Sequence, residues 1–103
     1  DDREKAFENK FKLDEELKFK ATARRNKLLG LWAAELMGMS AAEAGDYAKE
    51  VVQSDFERPG DEDVLEKVHG DLQAKGLDTS EHSVRKHMDD LMDAAVQQIE
   101  AGE

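Results

Sequence analysis

Residues 19–37, FKATARRNKLLGLWAAELM, hold the turning point of the chain. Ahead of Phe19 large apolar side chains are sparse, limited to Phe7, Phe11, Leu13 and Leu17. Within the quoted stretch they thicken into Leu28, Leu29, Leu31, Trp32, Leu36 and Met37. Strong helix breakers are nearly absent on both sides of the change, so one helix over about Arg3–Met37 is expected, stopped by Gly38. Its second half has the apolar side chains to build a core and its first half does not. Trp32, deep in the apolar run, is the expected core anchor.

Working outward from that helix, Ser40 and Glu43 have the spacing of a capping box. There a hydroxyl and a carboxylate each satisfy the other residue's free backbone N–H. A second helix follows to Phe56 or Glu57, with Tyr47, Val51 and Phe56 expected to face the core. Arg58, Pro59 and Gly60 make a turn, because proline disfavours helix at the residue before it. Asp61, Glu62 and Asp63 then place three carboxylates at the positive end of a third helix. Val64, Leu65, Val68 and Leu72 form its apolar stripe, and Gly76 ends it. Thr79 or Ser80 caps a fourth helix, striped by Val84, Met88, Leu91, Met92, Ala95, Val96 and Ile99. No stretch alternates apolar and polar residues with period 2. The expected fold is all-α: a four-helix bundle over residues 19–103, with residues 1–18 as a mobile or extended N-terminal helical arm.

Charge divides the chain in the same way. Residues 1–30 carry 9 basic and 7 acidic side chains, whereas residues 31–103 carry 6 basic and 18 acidic. The net charge of −10 argues against nucleic acid or an anionic membrane surface as partner, since both require clustered Lys and Arg. The longest apolar run, Leu28–Ala34, is far shorter than the roughly 20 residues that span a bilayer. No membrane insertion is expected, and no secretory leader is legible in the sequence. Cysteine is absent, which removes disulfides, thiolate metal sites and cysteine nucleophiles, and a cytoplasmic location is expected.

Little in the chain points to catalysis. A carboxylate-bridged metal site in a helical bundle needs two Glu-x-x-His motifs, and only Glu66–His69 fits. His82 and His87 stand five residues apart, on different faces of a helix. No glycine-rich phosphate loop is present, and the serines lack a recognisable His and Asp. Met37, Met39, Met88 and Met92 read as fillers of irregular core gaps. Asp61–Asp63 read as a solvated helix start rather than a cation loop. The chain is expected not to be an enzyme, and to need no cofactor or metal. No motif identifies a nucleotide site, although a weak nucleotide contact is left open.

The arm is where function is expected. Arg3, Lys5, Lys10 and Lys12 are interleaved with Glu4, Glu8, Asp14, Glu15 and Glu16, and Phe7 with Phe11 shares one helix face. Two readings stand at this point. One is a solvent-exposed helix laced by weak ion pairs of about 0.3–0.5 kcal/mol each. The other is a helix that docks between partner surfaces, with Phe7 and Phe11 as buried anchors and the charges setting register.

The run Asp1–Phe11, DDREKAFENKF, resembles the start of the zeta inhibitor subunit of alphaproteobacterial F-type ATP synthases. So do Lys18–Lys20 and the string ARRNKLLGLWAA at residues 23–34, which is specific. YAKEVV at 47–52, Asp55–Phe56 and GDEDV at 60–64 extend the likeness over nearly the whole chain. Members of that family commonly carry a few residues ahead of the first Asp, often with a Phe. The resemblance implies a four-helix protein that inhibits ATP hydrolysis by its synthase. It implies that the N-terminal segment enters a catalytic interface between the alpha and beta subunits, near gamma, and blocks rotation. The partner-binding residues it implies are Arg3, Glu4, Phe7, Glu8, Lys10, Phe11 and Asp14. It also implies a cytoplasmic protein, monomeric when free, held peripherally on the membrane-bound synthase. The alternative is an acidic helical bundle that binds a small ligand, nucleotide or metal in a regulatory role.

Overall fold

Each helix boundary follows from a local device, and the capping box is the first. In the computed structural model the Ser40 backbone N–H donates to Glu43 Oε1 at 3.0 Å and the Glu43 N–H donates to Ser40 Oγ at 3.2 Å. The Ser40 N–H, followed by its hydroxyl, holds the Glu43 carboxyl below its ordinary pKa. The structure describes the backbone of residues 2–57 and 60–102, and the side chains of 15–56 and 60–102. Among the described residues four helices are present: α1 (Asp2–Leu36), α2 (Ala41–Glu57), α3 (Asp61–Ala74) and α4 (Glu81–Glu100). Among the described residues there is no strand.

Gly38 closes α1 in the left-handed region at φ +73°, with the Met39 N–H donating back to the Ala34 carbonyl at 3.0 Å. Gly76 does the same after α3 at φ +80°, with the Leu77 N–H returning to the Leu72 carbonyl at 3.1 Å. Ser80, not Thr79, caps α4: its Oγ accepts from the Ser83 N–H at 3.1 Å. The turn at Arg58 and Pro59 lies outside the described residues.

α1 packs most widely on α2 and α4, and α3 closes the bundle. The core joins Leu29, Ala33 and Ala34 of α1 to Val51 of α2, Val64, Val68 and Leu72 of α3, and Val84 and Met88 of α4. Gly30 sets the closest helix approach. A Cβ built there would lie 2.7 Å from the Ala48 Cα, so only glycine lets α1 and α2 meet at this distance. Of the methionines, Met88 is buried and Met37 and Met39 pack against the core's edge, as gap-fillers do.

Two aromatic residues differ from expectation. Trp32 is half-buried at the margin of the core, where its ring stacks on His87 with centroids 4.1 Å apart and planes 20° apart. The Ser83 carbonyl, 2.9 Å from His87 Nδ1, fixes that imidazole. Trp32 therefore seals the α1–α4 seam rather than filling the centre. Phe56 does not face the core at all. It is 59% exposed, because it stands in the last turn of α2 beyond the reach of α3's apolar stripe.

Among the described side chains of α1 the first buried one is Ala21. Glu15, Glu16, Lys18, Phe19 and Lys20 are exposed and Leu17 is half-buried. At about 1.5 Å per residue, the 35 residues of α1 make a rod of about 52 Å, longer than any other helix of the bundle. Among the described residues no helix is long and apolar enough to cross a membrane.

Candidate functional site

The residues expected to bind a partner, Arg3, Glu4, Phe7, Glu8, Lys10, Phe11 and Asp14, all lie on the first half of α1, whose backbone is helical from Asp2. Their side chains lie outside the described residues. From Glu15 onward the side chains are described, and those of residues 15–20 are left largely uncovered by the bundle. Among the described side chains of α1, full burial thus begins at Ala21.

Where α1 meets α2 the surface opens into a groove. Its wider end, about 650 Å³, is lined by Lys27 and Leu31 of α1 and by Gly45, Ala48, Lys49 and Val52 of α2. Its narrower end, about 370 Å³, runs past Phe19, Thr22 and Ala23 to Glu15, with Asp55 opposite. Val52 and Phe56 line both, so the two hollows meet at these side chains. Phe19 is 65% exposed, and its ring lies 6.2 Å from that of Phe56, tilted by 38°. Three large apolar side chains among the described residues are exposed, and two of them converge here. Lone exposed apolar residues are ordinary, but a contiguous pair beside an apolar channel marks an interaction surface.

The groove walls are held by polar contacts that the sequence reading did not single out. Arg25 is 3% exposed, and its Nη2 donates to Asp61 Oδ1 at 3.0 Å, tying α1 to the start of α3. Its Nε donates to Asn26 Oδ1 at 3.0 Å. That bond identifies the acceptor end of the Asn26 amide and leaves its Nδ2 without a partner among the described residues, although Asn26 is fully buried. Asn26 also lines the narrower end of the groove. Arg25 falls one turn ahead of Leu29 and so shares the core face.

On the opposite side of α2, the Tyr47 hydroxyl donates to Asp71 Oδ2 at 2.8 Å, and Lys67 Nζ meets the same oxygen at 3.2 Å. Burial, then the Asp71 carboxylate, pushes the Tyr47 phenol well above its ordinary pKa. Arg85 of α4 pairs with Glu62 at the start of α3, and that carboxylate raises the guanidinium pKa further. Asp61 and Glu62 are therefore engaged by cations of α1 and α4. Among the described residues no group of three His, Asp or Glu side chains is arranged to hold a metal ion. The described side chains offer a docking surface where α1 meets α2.

The sequence matches the family model described as ATPase inhibitor subunit zeta over residues 1–98. A structure solved by solution NMR shares 49% identity with the chain. It covers 84% of this chain and 99% of its own, and superposes with a TM-score of 0.73. None of the curated proteins compared with the chain matches it.

Proposed function

The chain belongs to the ATPase inhibitor subunit zeta family, and on that footing we propose that it is a non-catalytic inhibitor of ATP hydrolysis by an F-type ATP synthase. The observation that carries this reading is the family match, which begins at residue 1 and so includes the arm as well as the bundle. In this reading residues 1–18 act as the inhibitory arm, mobile when the protein is free, and residues 19–103 as its carrier. The arm enters a catalytic interface between alpha and beta subunits, close to gamma, and stops rotation. The protein is then cytoplasmic, monomeric when free, and held peripherally on the synthase.

The energetics assign the roles within the arm. Fixing backbone costs about 1–2 kcal/mol per residue, so a segment that winds readily into α1 loses less on docking than one without helix propensity. Burying a phenylalanine contributes about 1.5–3 kcal/mol, which makes Phe7 and Phe11 the anchors. Arg3 and Lys10 meet acidic or carbonyl acceptors on the head, and Glu4, Glu8 and Asp14 meet basic ones. The exposed side chains of Glu15, Glu16, Lys18, Phe19 and Lys20 support an arm that leaves the bundle before Ala21.

The test is to add the full chain to the purified cognate ATPase head and measure hydrolysis. Wild-type protein lowers the rate, and Phe11→Ala raises the concentration needed while leaving the helical circular dichroism and melting of the body unchanged. Full inhibition by Phe11→Ala at wild-type concentrations would remove the arm from the mechanism.

A further inference from the structure

We infer that the groove between α1 and α2 is a second docking surface, which takes one amphipathic helix of the ATPase head bearing acidic side chains along its flanks. The inference rests on the inhibitory reading above and adds a partner contact made by the body rather than the arm.

Shape comes first. The two hollows together follow α1 from Glu15 to Leu31, which at 1.5 Å per residue is about 24 Å, or between four and five helical turns. That length suits a helix laid into a groove and exceeds a compact small molecule. The floor is apolar, built from Leu31, Ala48 and Val52, with the exposed Phe19 and Phe56 rings standing at the narrower end. Gly45 keeps the wall of the wider end low. It sits inside α2, where glycine is unfavourable, yet a Cβ there would meet nothing within 4 Å.

Charge then selects the occupant. In a chain of net charge −10, the wider end carries Lys27 and Lys49 and no acidic residue, and the narrower end adds Lys18 against Glu15 and Asp55. A helix with carboxylates on its flanks is complementary to that rim. A second copy of this chain is disfavoured by the mutual repulsion of two −10 proteins. The chain's own arm continues from the helix that forms one wall, so reaching the groove requires a break in α1. Asn26 adds an independent sign of a ligand. A buried amide N–H without an acceptor is costly, and at the groove's edge a carboxylate or carboxamide of the occupant satisfies it.

The experiment uses the full chain and the purified ATPase head. A photo-crosslinking amino acid replaces Gln53, an exposed residue of the wider end, and the captured peptides are identified. In parallel, inhibition is titrated for Gly45→Met, which fills the channel, and for the double charge reversal Lys27→Glu with Lys49→Glu. The expected result is a crosslink to a helix of the head carrying acidic residues. Both variants raise the half-inhibitory concentration about tenfold or more, with maximal inhibition retained. Gly45→Met does so with an undiminished melting temperature, which separates lost docking from lost folding. Crosslinks to the chain's own arm, to a second copy or to a basic segment overturn the inference, as does wild-type potency in both variants. Failure of the wild-type chain to inhibit, with the Gln53 crosslink to the head intact, overturns the inhibitory reading and leaves the groove assignment standing.

Discussion

Gly30 and Gly45 allow one chemical change to be made twice with opposite outcomes. Both sit inside helices, so replacing either by alanine gains about 0.8–1 kcal/mol of helix propensity. At Gly45 nothing lies within 4 Å of the new Cβ, and that gain stands alone. At Gly30 the new Cβ falls 2.7 Å from the Ala48 Cα and 3.3 Å from both the Ala48 Cβ and Val51 Cγ2. Carbon atoms prefer about 3.5–4.0 Å, and the nearest neighbour is backbone, which no rotamer change can move aside. α1 and α2 must therefore draw apart along the most extensive interface of the bundle. Overpacking of this kind costs about 1–3 kcal/mol, which exceeds the propensity gain. Gly30→Ala is expected to lose about 1–2 kcal/mol, and Gly45→Ala to gain about 0.5–1 kcal/mol. For a domain this size each kcal/mol moves the melting temperature by about 4–8 °C. Urea unfolding followed by far-UV circular dichroism, with slopes compared, gives both values. If Gly30→Ala unfolds at or above the wild-type midpoint, the close approach is not what glycine serves there.

Two further perturbations probe the polar ties. The Tyr47 phenol is raised above its ordinary value of 10 in the folded protein, so its contribution is fully present below pH 10 and is lost as pH climbs beyond it. Tyr47→Phe is expected to cost about 0.5–1.5 kcal/mol at neutral pH and to flatten the alkaline decline, as read from melts across that range. Asp61→Ala strands the buried Arg25 guanidinium, while Asn26 still accepts from its Nε. Because Asp61 itself is largely exposed, the expected loss is about 1–2 kcal/mol rather than the larger figure of a fully buried pair. Adding Arg25→Met recovers most of it in denaturant melts, since no unpaired charge then remains.

The helices were legible because their punctuation is local. Gly38, Ser40, Gly76 and Ser80 act within four residues of where they stand, and each helix begins or ends where they place it. The stripes of α3 and α4 were legible for the same reason. What depended on tertiary partners was not. Phe56 looks like a core residue by spacing, but no neighbouring helix extends far enough to cover it. Trp32 was expected at the centre and lies at a seam, because His87 arrives from a helix more than fifty residues away in sequence. The burial of Arg25 was legible in the one-turn spacing of Ala21, Arg25, Leu29 and Ala33, all of which are buried, whereas that of Asn26 was not singled out. The groove leaves no linear signature, since its lysines and apolar floor come from two helices.

α1 runs unbroken from Asp2 to Leu36, so the side chains that meet the bundle and the proposed anchors Phe7 and Phe11 share one rod. In the docked state the azimuth of the arm is therefore phase-locked to the body, as two cranks are on a common shaft. One residue inserted near Lys20 would swing Phe7 and Phe11 by about 100° around the axis and advance them by about 1.5 Å. Between Phe11 and Ala21, a change of length therefore has to come in whole turns.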